Sequence, residues 1–390
     1  MINLTEIQNE FAQAMQERDL VIVGLPKMDG KWHHVKTKQD RDPNDPEKGK
    51  KSGAYRGFLD GKPAGSIHNF KKGIQDTWVS GINVGEQDMQ ELRQEAAQQK
   101  ILRANAKEQT YLRLADLSQA IWDKSVPAAD GHPYLKRKQV VSVDLRAVPV
   151  DLQVENVLVG KTWRESAVLR KENPGKLILT SGDLIMPLRD VDGKAWSFQT
   201  IAASGMKGYL KDAKKLEHFH TLGHLENGKP IIIGEGYATL ATLHDVSNRV
   251  GCVAVCDTSN LSYVSQIIRD HYPDSKIYFG ADNDWELEIV NRETNTPGNP
   301  GLDTARAAAE KCGGYVLYPS FTPDQVKCSD WNDLYVTQGR AAVKTQLMSQ
   351  LNQAKEHFSK CSAPADAAGA VENYNSGVVQ KKHQPSRLRA

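Results

Sequence analysis

The stretch PIIIGEGYAT, residues 230–239, decides the fold of the second half of the chain. Its apolar start, 230–233, is typical of a short buried strand. The glycines at positions 234 and 236 indicate a turn, and residues of helical spacing follow from Tyr237 to about Val246. The stretch therefore predicts a strand that turns directly into a helix.

The same order of strand and helix recurs downstream. Residues 251–256, 276–280 and 315–318 are short apolar runs typical of strands. Residues 257–270 and 302–312 are predicted to form the intervening helices, the first with capping residues at its start and the second ended by a pair of glycines. This alternation over about a hundred residues predicts an α/β fold, a parallel sheet with helices on both faces.

Three carboxylates directly follow two of these strands. Glu235 comes after the first strand, and Asp282 and Asp284 come after the third. Because the functional crevice of an open parallel sheet lies beyond the carboxyl ends of its strands, we expect the three to meet there. At 4 Å and an effective dielectric near 20, each pair of carboxylates repels by on the order of 4 kcal/mol. The pattern therefore predicts Mg²⁺ or Mn²⁺, cations that prefer carboxylate oxygen and leave positions open for phosphate.

A structural interpretation competes with this one. An isolated Gly-Glu-Gly is usually a solvated turn, and an isolated Asp-x-Asp is usually a loop or a helix cap. The placement of both motifs at strand ends of one predicted sheet favours a site. Gly234 and Gly236 then let a substrate approach the backbone, and Glu235 is free to act as a general acid or base.

Composition limits the class of protein. At 390 residues the chain exceeds one hydrophobic core, so two or three folded units are expected. No run reaches the roughly 18 apolar residues that span a bilayer, and the first 20 residues lack a secretory pattern, so we expect a cytoplasmic protein and no membrane partner. The five cysteines form no CxxC pair, which favours reduced thiols. A net charge of +2 neither requires nor excludes nucleic acid.

The first half divides by composition. A capped helix near residue 5 precedes three β-type segments, with a turn predicted at Asp60-Gly61 and a mobile loop over 36–52. A long helix is predicted from Glu86 to about Trp122, and a hairpin joins 184–189 to 194–201. The tail from residue 362 has a disordered composition and ends in a basic cluster. That cluster consists of Lys381, Lys382, Arg387 and Arg389.

These motifs resemble a known family. Residues 231–236 with Asp282 and Asp284 look like the Toprim pattern of primases, topoisomerases and some nucleases, and residues 235–239 resemble the EGYATA motif of conjugative-plasmid and phage primases. The resemblance implies a Rossmann-like Toprim sheet, with Glu235 as the acid/base residue and Asp282 and Asp284 as metal ligands. Tyr237 belongs to the same motif. Leu240 departs from the family's alanine.

The resemblance covers most of residues 10–340. Residues 132–138, 186–199, 207–211 and 330–333 look like the central region and last motif of such primases, and residues 51–55 and 63–65 like their leading domain. It implies a mixed α+β primase-like region before the Toprim domain. The expected parts are an N-terminal α+β domain (1–82), a helical connector (83–127), a central primase-type domain (128–225), the Toprim domain (226–345) and a C-terminal helix with a disordered basic tail (346–390).

The family implies a DNA primase that makes short RNA primers on a single-stranded DNA template from nucleoside triphosphates. No zinc ribbon precedes the core and no Walker-type loop follows it, so no zinc is expected and any helicase would be a separate partner. A Toprim nuclease is the first alternative, since the acidic motifs alone do not separate the two. A topoisomerase would need a further domain, and a non-catalytic single-strand-binding protein would gain nothing from three clustered carboxylates.

Other residues carry two interpretations each. Lys207, Lys211, Lys214 and Lys215 either bind phosphates of nucleotide and DNA or form a solvated face. Asp330 either completes a metal shell or caps the helix that begins near Asn332. Trp196, Tyr209 and Phe198 are candidates for stacking on bases, although core packing is the favoured role for Phe198. His218 and His220 lie in a β-type segment without metal-ligand spacing and are expected to be structural.

Overall fold

The computed structural model describes residues 4–43, 49–59, 62–81, 86–287, 298–322, 325 and 327–361. The chain forms two compact units, residues 1–110 and 111–390, and the division falls inside helix α2 (Glu86–Lys124). The finer division into five parts stays a prediction. No helix in the described parts of the chain combines the length and the apolar character needed to cross a membrane. The turn predicted at Asp60-Gly61 and the basic tail lie outside the described residues.

The first unit is an antiparallel sheet with one helix packed on it. The sheet has the strand order β1-β2-β3-β4-β5, and its core joins Ile7, Phe11 and Met15 of the helix to Tyr55, Ile67 and Trp78 of the sheet. The elements are α1 (Leu4–Glu17), β1 (Leu20–Val21), β2 (His33–Thr37), β3 (Gly53–Phe58), β4 (Ala64–Asn69) and β5 (Ile74–Val79).

Phe11 shows why this helix lies where it does. Its ring stacks on Trp78 with the centroids 4.6 Å apart. A Cβ at Gly65 would lie 2.4 Å from Cζ of the Phe11 ring, so the absence of a side chain at position 65 lets the ring lie directly on β4. The helix is thereby anchored to the centre of the sheet.

The loop expected to be mobile over residues 36–52 is fixed at both ends, which corrects that prediction. Lys36 and Thr37 belong to strand β2. The Asp40 carboxylate accepts hydrogen bonds from the amide nitrogens of Thr37 (2.9 Å) and Ser52 (3.0 Å). Burial opposes ionisation, but these hydrogen bonds lower the pKa of Asp40 to about 2. Residues 44–48 lie outside the described residues.

The second unit contains a mixed region before its main sheet. An antiparallel sheet has the order β12-β11-β10-β7-β6, and β8 pairs with β9 in a separate parallel ribbon. The elements are β6 (Val126–Pro127), α3 (Pro133–Lys138), β7 (Arg146–Ala147), β8 (Val157–Gly160), α4 (Trp163–Glu172), β9 (Leu177–Thr180), β10 (Leu184–Arg189), β11 (Ala195–Ile201) and β12 (Lys207–Tyr209).

The main sheet follows, in the order β13-β15-β14-β16-β17. Strands β14 to β17 are parallel to one another, but the edge strand β13 runs antiparallel to β15. The sheet is therefore mixed, whereas a purely parallel sheet was predicted. The elements are β13 (His220–Leu222), β14 (Ile231–Gly234), α5 (Tyr237–Val246), β15 (Gly251–Ala254), α6 (Leu261–His271), β16 (Ile277–Gly280), α7 (Pro300–Cys312), β17 (Tyr315–Leu317) and α8 (Trp331–Cys361, kinked at Gly339).

Helices cover this sheet on both faces. Ile232 of β14 lies in one core with residues of α5 and α8, including Leu240 and Trp331. Its neighbours Ile231 and Ile233 lie in a second core with residues of α6 and α7. Because successive side chains of a strand point to opposite faces, a strand buried on both sides must be apolar throughout, as 231–233 is.

Candidate active site

The structure brings Glu235, Asp282 and Asp284 to one small cavity at the carboxyl ends of β14 and β16. The cavity measures about 100 Å³, and Gly301 of α7 also lines it. Strands β14 and β16 are paired neighbours in the sheet, so the residues that directly follow them emerge side by side. The arrangement is the one expected from the two acidic motifs.

Glu235 is held by the loop after the neighbouring strand β15. Thr258 Oγ1 donates a hydrogen bond of 2.5 Å to Oε2 of Glu235. The amide of Cys256 donates to the Glu235 carbonyl oxygen at 3.1 Å. Both the backbone and the carboxylate of Glu235 are therefore positioned from one side, and the residue lines the cavity.

Asp282 is a buried carboxyl group with a strongly raised pKa. Its Oδ1 is buried and has no hydrogen-bond partner in the described part of the chain. Burial, followed by the negative charges of Asp330, Glu235 and Asp284, raises the pKa of Asp282 to about 8, although Lys207 opposes the shift. A buried carboxylate in this setting requires a positive partner to stay ionised near neutral pH.

Asp284 is bound to the start of helix α7. The amide of Gly301 donates to Oδ2 of Asp284 at 2.9 Å, and the amide of Asp284 itself donates to Oδ1 of Asn299 at 2.9 Å. Asn299 is buried and caps the same helix. The hydrogen bond from Gly301 uses one of the amides that the first turn of a helix leaves without a partner, and it fixes the Asp284 side chain at the helix start.

Asp330 has the cap geometry that was one of its two interpretations. Its Oδ1 accepts a hydrogen bond of 2.7 Å from the amide of Asp333, in the first turn of α8. Burial and the charge of Asp333 raise the pKa of Asp330. Asp330 is also the largest charge contribution to the raised pKa of Asp282, so capping does not remove it from the electrostatics of the site.

The donor chemistry of the site fits a hard divalent cation. All its charged groups are carboxylates, and the Oδ1 atom of Asp282 is buried without a partner. In the part of the chain that the structure describes, no three His, Cys, Asp or Glu side chains form a ready-made metal cage. Mg²⁺ is commonly held by one or two carboxylates, with water and substrate phosphates as the other ligands, and so needs no such cage.

Of the four predicted lysines, the structure brings Lys207 to the site. It lines a cavity of about 290 Å³ together with Gly236 and Asp330. Lys214 lies 3.6 Å from Glu217 and over the Trp196 ring, and Lys215 lies 3.8 Å from Asp257 and over the Tyr209 ring.

Lys211 is exposed and lines none of the cavities described here. Lys214 and Lys215 have carboxylate partners, so their charges are partly compensated before any phosphate binds. The four lysines thus do not form one group. Lys207 alone among them lines the cavity beside Asp330.

A larger cavity of about 770 Å³ lies on the other side of Lys207. It is lined by the start of helix α4 and the residues before it, by the end of β9 and by the ends of β11 and β12 that face each other. Its charged lining consists of Lys161, Arg170 and Lys207 with one carboxyl group, Asp183, and the exposed indole of Trp163 adds an aromatic surface. Because Lys207 lines both this cavity and the one beside Asp330, the two spaces adjoin. Sequence analysis missed this cavity.

The residues of the motif around Glu235 have separate roles. A Cβ at Gly234 would lie 2.8 Å from the carbonyl oxygen of Gly280, so close strand packing requires glycine there. At Gly236 the nearest atom would be 3.6 Å away, so the fold itself tolerates a Cβ. Tyr237 is buried, and its hydroxyl accepts from the amide of Val143 (2.7 Å) and donates to the carbonyl of Val141 (3.1 Å). Tyr237 therefore ties α5 to residues 141–143.

The aromatic residues and histidines considered from the sequence fall into two groups. Phe198, His218 and His220 are buried, in agreement with the core role expected for them. The Trp196 indole donates to Oδ2 of Asp190 at 2.7 Å. The Tyr209 hydroxyl donates to the carbonyl oxygen of Cys256, next to Glu235. Trp196 and Tyr209 therefore have partners of their own, which restricts their freedom to stack on bases.

The amino-acid sequence of this chain is similar to those of known DNA primases. The chain is 30% identical over 325 residues to DNA primase TraC of Escherichia coli, which covers 82% of this chain and 27% of the relative. A second Escherichia coli protein of the same name is 31% identical over 335 residues, covering 81% of this chain and 20% of the relative. The chain therefore spans about a quarter or less of the length of these relatives. No protein-family model matches it.

The search of solved structures gives a weaker likeness. The crystal structure of the Aquifex aeolicus primase, with its zinc-binding and RNA polymerase domains, matches 91% of this chain and 89% of that chain. The identity is 16% and the TM-score 0.38. A likeness at this TM-score carries no argument about the fold or the site.

Proposed function

We propose that this chain is a DNA primase that synthesises short RNA primers on single-stranded DNA, and that residues 226–345 form a Toprim catalytic domain. The observation that carries the proposal is the convergence of Glu235, Asp282 and Asp284 at neighbouring strand ends. The similarity to DNA primase TraC, which extends over 82% of this chain, supports the choice of reaction. The resemblance of residues 235–239 to the EGYATA motif leads us to propose a plasmid or phage association. The division at residues 82, 127, 225 and 345 belongs to the same proposal.

In the proposed reaction, the 3′-hydroxyl of a template-bound ribonucleotide attacks the α-phosphorus of an incoming nucleoside triphosphate. A bond forms between that oxygen and phosphorus, the bond to the β-phosphate bridging oxygen breaks, and pyrophosphate leaves. Glu235, held by Thr258, accepts the proton of the attacking hydroxyl. Mg²⁺ or Mn²⁺, when bound by Asp282 and Asp284, would neutralise charge on the reacting phosphate.

The surroundings of Lys207 suit the substrates of this reaction. Lys207 adjoins both the cavity beside Asp330 and the larger cavity that contains Lys161 and Arg170. Cations in these positions attract the triphosphate and the phosphates of the template. We therefore propose nucleoside triphosphates and single-stranded DNA as ligands of this region, with any helicase as a separate partner.

The first test is incorporation of labelled ribonucleotides on single-stranded DNA with Mg²⁺ or Mn²⁺. We expect short RNA products from the native chain and none from Asp282→Ala. Asp192→Ala is the matched control, because Asp192 is an exposed aspartate in the β10–β11 turn. Metal-dependent loss of the template without new RNA would favour the nuclease instead. Binding without either reaction would favour a non-catalytic single-strand-binding protein.

A further inference from the structure

The sheet of the first unit has two unlike faces. Helix α1 covers the face that contains Tyr55, Ile67 and Trp78. Side chains alternate between the two faces along a strand, and residues paired across neighbouring strands point to the same face. Ala54 pairs with His34 on one side and with His68 on the other, so these three residues lie on the face opposite to Tyr55. This second face therefore contains the alternate residues of β2 to β5. We call it the open face, and its members include His34, Arg56, Phe58, Ser66, His68, Gln75, Thr77 and Val79.

Aromatic rings form a row on the open face. The Trp32 and His68 rings are 4.7 Å apart between centroids, and the His68 and Phe70 rings are 5.9 Å apart. Trp32 directly precedes β2 and is 41% exposed. Phe70 directly follows β4 and is 56% exposed. Rings this exposed contribute little to the core of the unit.

The charge of the open face has one sign. Arg56 lies over the Trp32 ring (4.9 Å) and over the Phe58 ring (5.0 Å). Its guanidinium forms no ion pair with a carboxylate in the described part of the chain, and its Nε is buried without a hydrogen-bond partner. The described residues of β2 to β5 place no Asp or Glu on this face, since Asp76 lies opposite Ile67 on the covered side and pairs with Arg18.

We propose that the open face of the first unit binds single-stranded DNA, with bases stacked on Trp32 and Phe70 and a phosphate bound by Arg56. Aromatic side chains stack on bases without regard to sequence, and an adjacent cation attracts the backbone. Because Nε of Arg56 is buried, a phosphate would be bound by the two terminal nitrogens of the guanidinium, which have no carboxylate partner in the described part of the chain. The absence of acidic groups among the described strand residues removes the repulsion that would otherwise oppose an anionic strand.

The open face, within residues 32–79, does not include the carboxylates of the second unit, but the choice of its occupant rests on the proposed function. An apolar protein partner would not need the unpaired arginine, and a folded duplex would not offer its bases to the rings. The exposed rings and the single sign of charge together favour a single strand. Single-stranded DNA is the occupant because it is the template of the proposed reaction.

The test measures binding directly, by fluorescence anisotropy of labelled oligo(dT) with the full chain. We expect Trp32→Ala and Phe70→Ala each to weaken binding about tenfold. Trp32→Phe keeps a ring and should bind within about twofold of the native chain. Leu25→Ala is the control, because Leu25 is an exposed apolar residue of the same unit outside the row. Unfolding midpoints identify any variant that fails to fold.

Arg56→Gln tests the phosphate contact through salt dependence. Removing one contact to a single strand should reduce the slope of log affinity against log salt by about 0.7. Unchanged affinity and slope in folded Trp32→Ala, Phe70→Ala and Arg56→Gln would overturn the inference. The inference would also be overturned if the variants lost affinity for oligo(rU) and kept native affinity for oligo(dT). Neither result depends on RNA synthesis, so failure here is distinguishable from failure of the primase proposal.

Discussion

The amide nitrogen of Gly301 donates a hydrogen bond of 2.9 Å to Oδ2 of Asp284. Gly301 lies in the first turn of α7, so the bond uses one of the free amides of the helix start. The same residue touches the backbone of the other aspartate, because a Cβ at position 301 would lie 2.4 Å from the carbonyl oxygen of Asp282. The helix start and the aspartate motif therefore pack backbone against backbone.

Gly301→Ala should disrupt the site with modest change elsewhere. The added methyl cannot fit beside the Asp282 carbonyl, so either the start of α7 or the aspartate segment must move. We expect metal-dependent RNA synthesis to fall by about tenfold to 100-fold, since displacements near 1 Å can cost that much. Gly131→Ala is the control, as its Cβ would have only an ordinary contact at 4.0 Å. Native activity in Gly301→Ala would show that the close packing is not required.

Asp282 should make the metal-free protein less stable as pH rises. Its pKa is raised from 3.8 to about 8 in the folded chain, so folding favours the protonated form. That contribution is fully present below about pH 4 and is lost as pH rises toward 8. In EDTA, the unfolding midpoint of the native chain should fall relative to that of Asp282→Asn between about pH 4 and about pH 8. Added Mg²⁺ should reduce the difference.

The exposed Asp192→Asn variant is the control for that measurement. It should follow the native curve at every pH, because its carboxyl group is not buried. Parallel curves for the native chain and Asp282→Asn would contradict the raised pKa. The comparison requires no RNA synthesis and therefore tests the electrostatics of the site alone.

Much of the main sheet was predictable from local sequence. The run 231–233 is apolar at every position and is bounded by Gly234, and helix α5 begins at Tyr237 as predicted. The segment of His218 and His220 was predicted to be β-type, but the antiparallel pairing of the three-residue strand β13 with β15 was not predicted. A signal that depends on distant pairing is absent from a local pattern.

The same distinction applies to the site. Glu235, Asp282 and Asp284 follow apolar strands directly, so their meeting at one sheet edge could be inferred from sequence. Thr258 lies 23 residues after Glu235, and Gly301 lies 17 residues after Asp284. Threonine and glycine in loops and helix starts are common, and nothing local distinguishes these two. Their roles become visible only when the folded loops are adjacent.

Thr258 should act as a positioning residue for Glu235. Thr258→Val removes the hydroxyl that donates to the glutamate while keeping the volume of the side chain. Without this hydrogen bond the Glu235 side chain is no longer fixed from the Thr258 side, so kcat should fall about tenfold while KM for the nucleoside triphosphate stays near its native value. Thr258→Ser retains the hydroxyl and should restore kcat.

A purely structural role for Thr258 would have a different result. In that case Thr258→Val would lower the unfolding midpoint and the yield of folded protein, and kcat of the folded fraction would stay native. Thr258→Ser would then show no specific rescue of kcat. The kcat of the folded fraction therefore separates positioning of Glu235 from support of the loop.

A pair of variants can separate the two roles of Asp330, as a helix cap and as a charge near the proposed metal site. Asn is as good an N-cap as Asp, so Asp330→Asn should keep the cap on the Asp333 amide, whereas Asp330→Ala should lose about 1 kcal/mol of stability. The charge of Asp330 adds to the raised pKa of Asp282, so it lies within electrostatic reach of the proposed metal ligands. We expect Asp330→Asn to unfold at the native midpoint and to require about tenfold more Mg²⁺ for half-maximal synthesis. A native Mg²⁺ requirement in Asp330→Asn, with instability confined to Asp330→Ala, would leave Asp330 as a helix cap alone.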